Sequence, residues 1–200
     1  NVFNGIREVF LPHWLASNPR ARIFRVWSVA SSFDQEPYSM AMLLSEYKKE
    51  NPSFPQFEIK ATDISERALE RAKAAVYSQM EVQRGIPAIK LVEYFNQLPD
   101  ETWQLKPEIR TQVHFSKMNL LGINGINSSF DLILCRNVLI YQDVENKKEI
   151  VKNLTRHIAE DGRLVLGAAE SLMGISQDFE QDPLGKVIVY KRCSSQKMTA

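Results

Sequence analysis

"RVWSVASSFDQEPYSMAMLL", residues 25–44, is the stretch on which the fold turns. It closes an apolar run rich in β-formers, "ARIFRVWSVA" (residues 21–30). That run is too short for a full helix and reads as a buried strand. Glu36-Pro37 then opens a helix, because proline in the first turn lacks only an N–H that the helix leaves unpaired. Met40, Leu43, Leu44 and Tyr47 follow at helical spacing. Strand, short loop and helix in that order make the place where a mononucleotide-type cofactor sits. The loop, Ala30 to Gln35, holds no glycine, the residue that best supplies positive φ and close backbone approach to a ligand.

Upstream, "REVFLPHWLASNPR" (residues 7–20) reads as a short helix closed by Asn18-Pro19. Downstream, "FEIKATDI" (57–64) is a second strand and "SERALERAKAAVY" (65–77) a helix. Between residues 84 and 122 the alternation breaks into a short helix and two segments, "TWQLK" (102–106) and "QVHFSKM" (112–118), which read as a hairpin-like insertion. "FDLILCRNVLIY" (130–141) is a third buried strand running into a loop. "DVENKKEIVKNLTRHIA" (143–159) is an amphipathic helix with Ile150, Leu154 and Ile158 on one side. Asp161-Gly162 reads as a turn, "RLVLGAA" (163–169) as a fourth strand, and "FEQD" with "KVIVYKR" as a final antiparallel pair. Strands alternating with helices predict a doubly wound, mostly parallel α/β sheet with an antiparallel last strand.

The 200 residues suffice for one core and at most a small appendage. A 44% hydrophobic and 24% charged composition is that of a soluble globular domain, and nothing in a net charge of +1 suggests a nucleic-acid binder. No apolar run approaches the roughly 18–20 residues of a membrane span, so no membrane insertion is expected. "NVFNGIREVF" lacks the basic start and apolar stretch of a signal peptide. Cys135 lies in an apolar strand and Cys193 near a polar end; a disulfide is not expected, and a reducing, cytoplasmic setting fits. His13, His114 and His157 fall in unrelated contexts, so no metal site is expected.

The stretches "EPYSMAMLL" (36–44), "ATDISERALERAKAAVY" (61–77), "RGIPAIKLVEYF" (84–95), "VHFSKMNLL" (113–121), "DLILCRNVLIY" (131–141) and "GRLVLGAAESL" (162–172) carry a likeness. In this order they resemble the chemotaxis receptor methyltransferases, the CheR family, over nearly the whole chain. "CRNVLIY" together with "EPYS" is the specific part. The resemblance implies a class I (Rossmann-like) methyltransferase domain over residues 1–200, with a small antiparallel β-subdomain inserted at about 95–120. It implies transfer of a methyl group from S-adenosylmethionine to glutamate carboxylates in the cytoplasmic helical region of methyl-accepting receptors, leaving S-adenosylhomocysteine. A monomer is expected. The family's N-terminal helical domain is expected to be absent from this chain. The family's Phe-Phe-Arg stretch aligns ahead of Asn1, and Arg7 does not match its arginine by position.

The same residues admit plainer readings. Where the family reads Ser-Ala-Gly-Cys-Ser-Thr-Gly-Glu-Glu-Pro-Tyr-Ser, this chain has "SVASSFDQEPYS", with Ala30 at the first glycine and Asp34 at the second. Ala30 adds one methyl to a cofactor-binding loop; Asp34 adds bulk and a negative charge where the methionyl carboxylate is expected. The plain alternative is a loop that only joins strand to helix. Glu36 is either a helix-dipole partner or, as the family implies, a cofactor contact. Asp63, after the second strand, suits ribose hydroxyls, but Asp63-Ile64-Ser65-Glu66 also has capping-box spacing. Asn119 and Leu120 are expected at the adenine, or else form an ordinary turn. Arg136, Asn137 and Tyr141 follow the third strand at its carboxyl end, where α/β sheets bind ligands. Arg136 and Asn137 are expected at the cofactor, Arg136 and Tyr141 at the incoming carboxylate, with Tyr141 equally readable as core. The reading is an active glutamate O-methyltransferase; the alternative is a degenerate domain of the same fold with a weakened or lost cofactor site.

Overall fold

The computed structural model describes residues 2–32, 35–123, 125–184 and 187–193. The chain opens with α1 (Val2–Gly5), a π-helical turn (Ile6–Phe10) and α2 (Leu11–Ser17), then enters β1 (Ile23–Val29). There follow α3 (Gln35–Glu50), β2 (Gln56–Asp63), α4 (Glu66–Ala74), β3 (Val76–Tyr77), α5 (Gln79–Gly85), α6 (Ala88–Tyr94), β4 (Phe95–Gln97) and β5 (Trp103–Leu105). The second half runs α7 (Pro107–Arg110), β6 (Val113–Lys117), β7 (Phe130–Cys135), a 3-10 turn (Leu139–Tyr141), α8 (Val144–Thr155), β8 (Ile158–Leu166), β9 (Phe179–Leu184) and β10 (Val187–Arg192).

Seven strands form one sheet in the order β6-β2-β1-β7-β8-β10-β9. β1, β2, β6, β7 and β8 pair in parallel, with Val26 beside both Ile59 and Leu132. β10 runs antiparallel to β8 and β9. Alternation along the central strands feeds two cores. Phe24, Val26, Leu132 and Leu134 face α3 and the leading helices, while Trp27, Val29, Ile133 and Cys135 face α8. Burial on both faces explains why β1 and β7 read as continuous apolar runs. At the far end of β7, Asp131 accepts from Trp14 Nε1 at 3.1 Å and the Arg25 amide at 2.8 Å. This ties α2 to the sheet. Cys135 is buried and Cys193 exposed, both as free thiols.

Three expectations need correction. The segment 112–118 is not half of a hairpin. β6 lies parallel beside β2, from Ile59 opposite Val113 to Asp63 opposite Lys117. The helical turn α7 separates it from β5, so an alternating pattern that suits a hairpin here serves a sheet-edge strand. The inserted sheet therefore spans Val76 to Leu105 rather than about 95–120, in the order β3-β5-β4, all antiparallel. Ile158 belongs to β8, not α8, and Asp161-Gly162 is a bulge inside that strand, where the register against β7 shifts. A Cβ on Gly162 would stand 2.9 Å from the Phe130 carbonyl oxygen, so glycine lets the two strands close over the bulge.

Candidate functional site

A cleft of ≈ 630 Å³ opens at the carboxyl ends of β1 and β7, beside the first turn of α3. Ala30, Glu36, Arg136, Asn137 and Tyr141 all line it, so five of the expected site residues come together. Its size falls within the roughly 300–1,000 Å³ of small-molecule sites.

The loop after β1 answers the absence of glycine. Ala30 takes φ 49° and Ser32 φ 50°, both left-handed. The conformation that glycine would supply forms without it, at a cost of roughly 1–2 kcal/mol for an L-residue. Two loop amides tie it to β2: Ser31 N–H donates to the Thr62 carbonyl and Ser32 N–H to the Asp63 side chain at Oδ2, each at 2.9 Å. Ser31 lines the cleft, and its buried hydroxyl has no hydrogen-bond partner among the described residues. Asp34 lies outside the described residues.

Asp63 is not the helix cap that its spacing allowed. Ser65 caps α4, accepting from the Ala68 N–H. Asp63 instead accepts from Ser32 and Ser65 backbone N–H groups, so it shapes the loop it adjoins. Glu36 likewise does more than complement a helix dipole. It accepts from Ser28 Oγ at 3.0 Å and Arg136 Nη1 at 2.8 Å. Burial is the largest influence on its carboxyl and raises its pKa above the ordinary value, outweighing the Arg136 pair and the Ser28 bond. Tyr141 is 78% exposed, which rules out the core reading.

Asn119 and Leu120 stand apart from this cleft's lining. Asn119 is exposed and accepts from the Leu121 N–H, an ordinary turn bond. The Leu120 carbonyl accepts from Asn153 Nδ2 of α8 at 3.0 Å. They remain at the Asp63 end of the sheet, since the Met118 N–H donates to the Asp63 carbonyl. Arg7 faces α3, paired with Glu46 at 3.0 Å.

Two contributors were not foreseen. Glu81, from the inserted subdomain, lines the cleft. Glu170, in the loop after β8, accepts backbone N–H groups of the loop after β7. Nothing in "GAAESL" singled out the second, since its partners are backbone amides. Among the described residues no group of three or more His, Cys, Asp or Glu side chains is placed to hold a metal ion.

Residues 1–188 match the family model described as CheR methyltransferase, SAM binding domain. The chain belongs to this family. It is 33% identical over 191 residues to the chemotaxis protein methyltransferase Cher2 of Pseudomonas putida, covering 94% of this chain and 69% of that one. It is 35% identical over 190 residues to a chemotaxis protein methyltransferase of Vibrio parahaemolyticus, covering 94% and 68%. Among solved structures it resembles a TehB-like SAM-dependent methyltransferase from Corynebacterium glutamicum, with TM-score 0.53 at 12% identity, covering 94% of this chain and 98% of that one. That likeness places the sheet in the class I methyltransferase fold. The CheR chain is thus an S-adenosylmethionine-dependent methyltransferase.

The cleft fits S-adenosylmethionine on its own terms. A carboxylate and a guanidinium side by side, Glu36 and Arg136, match the ammonium and carboxylate of an amino acid. An unpartnered buried hydroxyl waits at Ser31, and an acidic residue ends the neighbouring strand, β2.

Proposed function

We propose that this chain methylates glutamate side-chain carboxylates in the cytoplasmic helical region of methyl-accepting chemotaxis receptors, forming glutamyl methyl esters, and works in the cytoplasm as a monomer. The observation that carries this reading is the cleft itself, where Glu36, Arg136, Asn137 and Tyr141 meet at the carboxyl ends of β1 and β7. Glu36 and Arg136 would hold the amino-acid end of the cofactor, Asp63 its ribose, and Ala30 with Asn137 would approach it through backbone. Asn119 and Leu120 would contact the adenine beyond β6.

When bound, S-adenosylmethionine supplies an activated methyl on a good leaving group. Little further chemistry is asked of the protein. A glutamate with pKa about 4.3 is ionised at neutral pH, so no general base is needed. What remains is alignment of the acceptor oxygen with the methyl group, a matter of proximity and orientation. The exposed Tyr141 phenol would donate to the acceptor carboxylate and orient it. A neutral donor suits this role, because a tight ion pair would blunt the nucleophile.

The test supplies methyl-labelled S-adenosylmethionine and a receptor cytoplasmic fragment to the purified chain. Base-labile label on the fragment, lost when its acceptor glutamates are changed to glutamine, is the expected result. Absence of label, with the cofactor and fragment both intact, overturns the reading.

A further inference from the structure

Every contact of the Glu170 carboxylate points to one segment and its neighbour. Oε2 accepts from the backbone N–H of Asn137 at 2.8 Å and of Gly167 at 2.7 Å. Oε1 accepts from Val138 at 2.8 Å, Leu139 at 2.7 Å and Ile140 at 3.2 Å. Asn137 is left-handed, with φ 60°, and Val138 returns to the right-handed region at φ −113°, ψ −51°. Such an alternation turns successive N–H groups to one side and makes a concavity for an anion. Here the chain supplies the anion itself. Gly167 completes the arrangement, for a Cβ there would lie 2.7 Å from Glu170 Oε2 and 2.9 Å from the Asn137 nitrogen.

The pinned segment begins one residue after Arg136 and ends at the 3-10 turn that presents Tyr141. Val138 and Leu139 are buried, so without Glu170 their amides would have neither acceptor nor ready access to water. All five bonds are to backbone N–H groups, two of them of Val138 and Leu139, whose side chains pack in the core facing α8.

We propose that Glu170 is a positioning residue for methyl transfer: its carboxylate fixes Asn137–Tyr141 so that Arg136 and Tyr141 face the cleft together. This rests on the function proposed above. Glutamine at this position keeps the shape and one accepting oxygen but presents an NH2 group to the backbone donors of the other, whereas alanine leaves the concavity empty.

The experiment measures kcat, the KM for S-adenosylmethionine and the melting temperature of Glu170→Gln and Glu170→Ala, with and without acetate. Misplacement of this kind is expected to lower kcat by about 100-fold, with a much smaller change in KM. Acetate should restore part of the kcat of Glu170→Ala and none of that of Glu170→Gln, whose amide still fills the concavity. Wild-type kcat in Glu170→Gln overturns the proposal. So does a loss of kcat that follows melting temperature and ignores acetate, since that describes a plain structural brace. Amide hydrogen exchange at Val138, Leu139 and Ile140 of the wild type covers the case in which neither variant folds. Unprotected exchange there overturns the proposal. A wild type that transfers no methyl while keeping these amides protected fails the functional reading and leaves the pinning intact.

Discussion

The two loops that face each other across the cleft are organised by the same device at different strengths. After β1, among the described residues, the Asp63 carboxylate takes one loop amide, from Ser32, and shares itself with Ser65. After β7, the Glu170 carboxylate takes four loop amides and a fifth from Gly167. The first loop also carries two left-handed residues that are not glycine, Ala30 and Ser32. Among the described residues, then, one carboxylate gathers a single amide on the first side of the cleft and four on the other. The difference follows the work proposed for each. A loop that must settle around a cofactor can share its anchor with the ligand; a loop that must present a tyrosine to a protein substrate needs an anchor of its own.

The largest effect belongs to Asp63→Ala, which removes the light anchor and the proposed ribose contact together. Binding of S-adenosylhomocysteine, measured by calorimetric titration, should weaken by roughly 1–3 kcal/mol. Unchanged affinity would mean that the first loop stands without Asp63 and that the contrast between the loops is wrong. Tyr141→Phe comes next and probes the fixed side. Loss of one hydrogen bond, about 0.5–1.5 kcal/mol, should appear in turnover while cofactor affinity stays put. An equal loss of affinity would make Tyr141 part of the cofactor side.

Ala30→Gly sharpens the comparison by relieving strain. The left-handed penalty of roughly 1–2 kcal/mol, less the extra chain entropy of glycine, about 0.5–1 kcal/mol, leaves a gain of up to about 1.5 kcal/mol in denaturant stability. A destabilised variant would show that the Ala30 methyl packs usefully. Glu36, which joins the two sides through Arg136, gives the smallest effect. Its carboxyl is raised by burial above the ordinary 4.5, so the folded chain takes up this proton before the unfolded one does. Its contribution to stability therefore grows as pH falls through the window between the raised value and 4.5 and is lost as pH rises through it. Melting curves across that window should show the slope in the wild type and a flatter one in Glu36→Gln. Equal slopes would place the Glu36 carboxyl in better contact with water than its bonds to Ser28 and Arg136 imply.

Local pattern made the sheet legible, because β1 and β7 are short apolar runs and β2 an alternating one, bounded by loops and helices of ordinary spacing. It misled at β6, whose alternation is the same for a hairpin arm and a parallel edge strand; only the turn at Pro107–Arg110 decides between them. That Glu36, Arg136, Asn137 and Tyr141 would share one cleft was legible because Arg136 and Asn137 follow β7, Tyr141 ends the turn after it and Glu36 opens the helix after β1. The part played by Glu170 was not, since a carboxylate that binds backbone amides has partners of no particular residue type. Asp63 shows the opposite trap: its capping-box spacing was real, but the cap fell to Ser65 two residues later.

The two cysteines turn the molecule into a clock for opening of the cleft floor. Cys135 ends β7 beneath the cleft, fully buried, with its thiol pKa pushed upward by burial first and then by Glu170 and Glu36. Cys193 is exposed just past β10, which runs antiparallel to its neighbours and so ends at the opposite edge of the sheet. A maleimide dye meets thiolate and access together only at Cys193, and labels the chain once, far from the cofactor. Any slower second labelling then times how often the strand end below Arg136 comes apart.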